Sequence, residues 1–106
     1  MIKIIAVGRL TADLEIRPTS QVDVVVSNFT LACRDGKGTE FLKCTVWNEL
    51  ATTINKYAKK GDMLYVEGNQ KTKMYENDKG IKLYNTFTNV EKFEFLGAKK
   101  KEETLI

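Results

Sequence analysis

Residues 41–48, Phe-Leu-Lys-Cys-Thr-Val-Trp-Asn, carry the pattern with the clearest chemical use. In a strand, alternate side chains point to opposite faces. Leu42, Cys44 and Val46 then share an apolar face, and Phe41, Lys43, Thr45 and Trp47 share the other. Two large rings, a cation and a hydroxyl on one face suit a single-stranded nucleic acid. Its bases stack on rings and its phosphates meet cations. The same residues also fit a core strand from which Lys43 snorkels to solvent, since aromatics are ordinary strand residues. Residues 69–75 repeat the logic, with Asn69, Lys71, Lys73 and Tyr75 on one face. A turn carrying Lys79 follows, with Lys82 just beyond it. The competing reading is a solvated hairpin arm, and Glu76 and Asp78 partly neutralise its tip. Arg9 and Arg34 are further candidate phosphate contacts. Tyr84 is a further candidate ring, lying with Lys82, Thr86 and Thr88 on one face while Leu83 and Phe87 lie on the other. Either of those faces fits the interior. Tyr57 belongs to an apolar helical stripe, and Tyr65, two residues after Met63, suits either core or a subunit contact.

Other chemistries find little support. General acid–base catalysis most often uses histidine, and the chain has none. The acidic pair Glu102-Glu103 lies near the C-terminus with no pocket implied. No phosphate-cradling or dinucleotide-binding glycine pattern occurs, and Gly36 and Gly38 are explained by a turn. No catalytic residue and no cofactor are therefore expected. Cys33 and Cys44 fall inside apolar strand patterns and read as reduced core residues. Two cysteines without histidine leave most of a tetrahedral zinc shell unfilled, so no metal is expected.

The elements that must position these residues form one domain, since 106 residues suffice for a single core. The 42% hydrophobic and 29% charged fractions describe a globular chain. The net charge of +3 is too slight to identify a polyanion partner, so placement of the charges has to decide. No apolar run suggests export or membrane insertion. Residues 2–9 read as a first strand, with Gly8 marking a bulge or close backbone approach. A connection over 11–21 holds the only proline, Pro18, and residues 14–17 are capable of brief extension. Residues 22–33 read as a long second strand, 34–38 as a turn and 41–48 as a third strand. Leu50, Ile54, Tyr57 and Ala58 recur at helical spacing, with Asn48 as cap, Lys59 and Lys60 in the last turn, and Gly61 as stop. Residues 62–75 and 81–95 read as the last two strands. Residues 98–106 form a short tail with no burial pattern, expected to be disordered, after a domain spanning 1–97. Five antiparallel strands tend to close on themselves, and one helix between the third and fourth gives the OB-fold, a five-stranded Greek-key barrel of all-β class.

Several stretches in order then resemble a known family. They are Val7-Gly8-Arg9-Leu10-Thr11, Asn28-Phe29-Thr30-Leu31-Ala32, residues 41–47, Lys59-Lys60-Gly61, Val66-Glu67-Gly68 and residues 72–77. The set resembles the bacterial and phage single-stranded DNA-binding proteins over about residues 2–96. The resemblance implies a non-catalytic OB-fold that coats single-stranded DNA in replication, recombination and repair. It implies stacking on Phe41, Trp47 and Tyr75, with Lys71 and Lys73 as basic positions. It also implies a homo-oligomer, dimer or tetramer, paired through a first strand containing Ile2, Ile4, Ile5 and Val7, with Met63 and Tyr65 near a second interface. The implied location is a bacterial cytoplasm or nucleoid, or a host cytoplasm for a phage or mobile-element protein.

The chain departs from the family in two places. The loop over 34–38 is short and lacks an additional tryptophan, which implies less extensive wrapping of DNA. The sequence stops at Leu105-Ile106 without the acidic tip of cellular members, which argues against recruiting replication or repair enzymes by that route. Rival readings are a primosome-type protein acting through protein contacts, an RNA-binding OB domain and a dimerisation module.

Overall fold

The computed structural model describes residues 1–97. The tail expected over 98–106 lies outside the described residues. Seven elements follow in order: β1 (Lys3–Leu10), β2 (Arg17–Pro18), β3 (Val25–Asp35), β4 (Gly38–Trp47), α1 (Asn48–Tyr57), β5 (Met63–Glu76) and β6 (Lys82–Leu96). The sheet runs β1-β5-β6-β4-β3, and β3 meets β1 again through Arg9–Ala32 and Leu10–Leu31. The five long strands therefore close into a ring, and the helix sits between β4 and β5: this is the OB-fold. Of the 14–17 segment read as capable of extension only Arg17 is in a strand, the two-residue β2 that it forms with Pro18 against the outer edge of β3. The expected all-antiparallel barrel differs in one seam, because β4 and β6 meet in parallel at Cys44–Thr88 and Thr45–Asn89.

Closure buries the alternate residues that face inward. Leu31, Val46, Ala51, Ile54, Leu64 and Val66 have no exposed surface. The helix contributes Ala51 and Ile54, and Tyr57 packs edge-on against Phe95 at 6.4 Å. Its start differs from expectation. Asn48 takes φ +51 as the first helical residue and makes no cap; its side-chain oxygen accepts instead from the Val25 amide at 3.3 Å. Lys59 and Lys60 lie beyond the helix, which ends at Tyr57. The expected five-residue turn shrinks to Gly36 and Lys37, because Asp35 already pairs with Gly38. Cys44 is buried, and desolvation pushes its thiol up to about 12; the half-buried Cys33 thiol is raised for the same reason.

Gly8 is a close approach. A Cβ there would stand 2.8 Å from the Ala32 carbonyl oxygen and 2.8 Å from Cys33 Sγ. The β1–β3 seam closes at the next residue, so the bare backbone is what lets the ring shut. Among the described residues no helix is long and apolar enough to cross a membrane, and no cluster of His, Cys, Asp and Glu has the size of a metal site.

Candidate nucleic-acid interface

The apolar face of β4 turns inward, with Cys44 and Val46 buried and Leu42 half-buried. The face with Phe41, Lys43, Thr45 and Trp47 turns outward. Phe41 is 66% exposed and Trp47 42%. Thr45 departs from its neighbours: it is only 7% exposed, and its hydroxyl donates to Asn28 Oδ1 at 2.7 Å.

Register extends this face across the sheet. Val26, Asn28, Thr30 and Ala32 of β3 stand opposite Trp47, Thr45, Lys43 and Phe41. In the β5–β6 arm, Lys71, Lys73 and Tyr75 stand opposite Phe87, Asn85 and Leu83. Lys43 reaches Asn85 Oδ1 at 3.5 Å, a long contact that bridges the barrel face to the arm. The result is a groove of about 480 Å³ lined by Val26, Asn28, Thr30, Lys43, Trp47, Lys73, Asn85 and Phe87 among others. Rings and cations share it, a composition able to offer a base an apolar plane and a phosphate a positive charge.

The remaining candidates divide. Tyr75 and Lys71 share the groove's face of the arm, further along its strand. Tyr84 does not. It pairs with Met74 on the opposite face, in line with Thr88, which is buried in the barrel. Arg9 and Arg34 line a separate groove with Val7, Ala32, Thr39 and Met63, where Arg9 Nη1 donates to the Gly61 carbonyl at 3.0 Å. The two grooves adjoin, because Phe41, Ala32 and Arg9 form one cross-strand row. Arg17 was not among the sequence candidates, yet it occupies a row with Val26 and Trp47. Its exposed 3.9 Å contact with Glu15 is too weak to hold it away from a ligand. Phe87 was also passed over as a contact; only its pairing with Lys71 reveals which face it takes.

The proposed subunit contacts fall on two faces of β1. Ile5 and Val7 are exposed and stand opposite Glu67 and Tyr65, with Met63 next in line opposite Arg9. Ile4 is half-buried on the inward side, opposite Gly68, and Ile2 shares its parity but is exposed. Tyr65 donates its hydroxyl to Glu67 Oε1 at 2.7 Å, and this bond is the first cause of its raised pKa.

Comparison with known proteins agrees with this geometry. The chain matches the model of the "Single-strand binding protein family" over residues 1–96. It is 35% identical over 100 residues to Single-stranded DNA-binding protein 1 of Streptococcus pyogenes, covering 88% of this chain and 76% of that protein. It is 36% identical over 107 residues to Single-stranded DNA-binding protein 3 of Listeria innocua, covering 94% of this chain and 66% of that protein. Against the single-stranded DNA-binding protein of Halalkalibacterium halodurans it is 35% identical, with 89% of this chain and 60% of that protein covered. With its fold, its groove and a match spanning nearly all of its length, the chain belongs to the single-strand binding protein family.

Proposed function

We propose that this protein binds single-stranded DNA by stacking bases on Trp47, Phe41 and Tyr75 and by setting phosphates against Lys43, Lys71 and Lys73. Members of the family are non-enzymatic binding proteins, and this one needs no reacting group. The observation that carries the reading is the groove itself: β4 and the β5–β6 arm bring Trp47, Lys43, Lys73 and Phe87 to one cavity. Such a protein would cover strands exposed during replication, recombination and repair in a bacterial cytoplasm.

Trp47 is the only tryptophan, so its fluorescence reports this groove alone. Titration with oligo-dT should give a saturable change, and a flat titration together with no gel shift at low salt would overturn the reading. Salt dependence tests the charges. Each lysine that neutralises a phosphate on a single strand contributes about 0.7 to the slope of log affinity against log salt. The Lys71→Ala, Lys73→Ala double variant should therefore flatten the slope by about 1.4 and weaken binding to every sequence alike. A slope equal to that of the unaltered protein would move the phosphate path off the arm.

Assembly through β1 is supported by an open edge. Leu10 bonds to Gly61 and Asp62 on the β5 side, and the Ile2 carbonyl accepts from Gln70 on the same side. Even-numbered residues of β1 thus turn their amides to β5. The odd residues Lys3, Ile5 and Val7 turn theirs the other way, where β3 pairs only with Arg9 and Leu10. An unpaired apolar edge invites a second copy about a two-fold axis. Proline at Ile4 would remove an amide needed by β5, whereas proline at Ile5 removes only an edge donor. Ile5→Pro should lower the mass measured by light scattering at micromolar concentration. A monomeric mass for the unaltered protein would remove the premise.

A further inference from the structure

A strand longer than the central groove has two ways out of it. Asn28 lines both that groove and a pocket of about 280 Å³ formed with Asp13, Glu15 and Arg17. On the other side, Phe41 stands in one row with Ala32 and Arg9, and that row leads to a groove of about 460 Å³ over the β1–β3 seam. Charge separates the two exits. The pocket at β2 sets two carboxylates against one guanidinium, and Glu15 lies 3.9 Å from that guanidinium. The seam groove holds both Arg9 and Arg34, and among the described residues no carboxylate lines it. A polyanion is attracted at the second exit and opposed at the first.

Phe41 joins the two grooves. It lies one alternation along β4 from Lys43, roughly 6.6 Å, and two strand spacings from Arg9, roughly 10 Å. Its exposed ring thus offers a stacking surface between two sets of cations. Arg34 stands one alternation beyond Ala32, opposite Thr39. Arg9 is held in place, because Nη1 donates to the Gly61 carbonyl at 3.0 Å; the rest of its five-donor fork remains for a phosphate. The second copy proposed above leaves this surface open. It would pair with the free amides of Lys3, Ile5 and Val7, whereas Arg9 is already paired with Ala32.

We infer that a strand filling the central groove continues over Phe41 into the seam groove, where Arg9 and Arg34 take its next phosphates, and does not leave past β2. The inference rests on single-stranded DNA binding as proposed above. It adds a second phosphate subsite and a course for the strand. The two arginines then act only on strands long enough to pass Phe41.

Two lengths of oligo-dT test this: the shortest that saturates the Trp47 fluorescence, and one of about 16 nucleotides, the upper end for a single OB-fold. The Arg9→Ala, Arg34→Ala double variant should flatten the salt slope of the long oligonucleotide by about 1.4, at about 0.7 for each phosphate contact. The slope of the short one should not change. Lysine at both positions should restore the long slope, because charge is what the slope counts. Arg34→Ala alone, an exposed change in the β3–β4 hairpin, should flatten it by about 0.7 and covers the case in which the double variant fails to fold. Arg17→Ala should not separate the two lengths. A full slope for the long oligonucleotide in a folded variant, equal losses at both lengths, or a length-dependent loss in Arg17→Ala instead would overturn the inference while leaving DNA binding intact. A smaller mass of the double variant by light scattering would also overturn it, by making the arginines assembly contacts. Failure of the unaltered protein to bind either oligonucleotide would overturn the proposed function and this inference with it.

Discussion

Gly68→Ala should destabilise the protein by about 3 kcal/mol, the upper part of the usual range for forcing extra atoms into a packed site. A Cβ at Gly68 would overlap the Asn89 carbonyl oxygen, stand 2.9 Å from its carbon and touch Thr88 Cγ2 at 3.0 Å. Two of those atoms are backbone, so no rotamer change relieves the clash. The site is also where the β5–β6 register shifts: Glu67 pairs with Lys92, but Gly68 pairs with Val90. Glu91 is the extra residue of that bulge, and its carboxylate accepts from Asn69 Nδ2 at 2.8 Å. The bulge lets β6 leave β5's straight course and reach β4 at Thr88 and Asn89. Filling it strains the seam that closes the ring. For a domain of this size, about 3 kcal/mol corresponds to roughly 12–24 °C in melting temperature. The comparison must be made at equal protein concentration, because assembly adds concentration-dependent stability. A melting temperature within a few degrees of the unaltered protein would show that β6 can move aside at no cost.

Much of the fold could be read from local pattern. The β4 face was legible because Leu42, Cys44 and Val46 are all apolar at one parity, which leaves Phe41, Lys43 and Trp47 no inward place. The helix was legible from Leu50, Ile54 and Tyr57. Its cap was not, because Asn48 has the right side chain for a cap but spends it on Val25, a residue whose nearness depends on the β3–β4 pairing.

What the sequence could not supply is mostly register. Residues 82–88 carry one ring on each parity, Tyr84 and Phe87, and neither face is wholly apolar or wholly polar, so nothing local decides which of the two turns toward the groove. The answer comes from β5, whose Lys71 and Lys73 fix Phe87 and Asn85 as their neighbours. Thr45 shows the same dependence. It has the parity of Trp47 and an equal claim to exposure, yet Asn28 and Asn89 flank it from two different strands and it is buried. Arg17 joins the site only because a two-residue strand happens to meet Val26. Each of these contacts joins residues of different strands, nine or more positions apart, and no periodicity within one strand encodes them.

Trp47→Ala should weaken binding of oligo-dT by about 1–3 kcal/mol, the range for loss of one stacked base, or roughly a 5- to 150-fold rise in dissociation constant. Trp47 is suited to this role because it is held rather than mobile. Its backbone pairs with Val26, its side chain lines the groove beside Thr45, and just over half of its surface is covered. A ring already fixed in position loses little conformational freedom when a base settles on it. Tyr84→Ala provides the contrast. That ring is 67% exposed and more open to solvent than Trp47, but it lies on the face of the arm opposite Lys71 and Lys73. Its removal should change affinity by less than about 0.5 kcal/mol, as for a surface substitution away from any contact. Because Trp47→Ala removes the fluorescent reporter, both variants should be measured by the anisotropy of a labelled oligonucleotide. Circular dichroism and melting temperature should show that each remains folded. Equal losses at both positions would mean that DNA passes along both faces of the arm. No loss at Trp47 in a folded variant would favour a protein that works through protein contacts, with this groove as a docking surface.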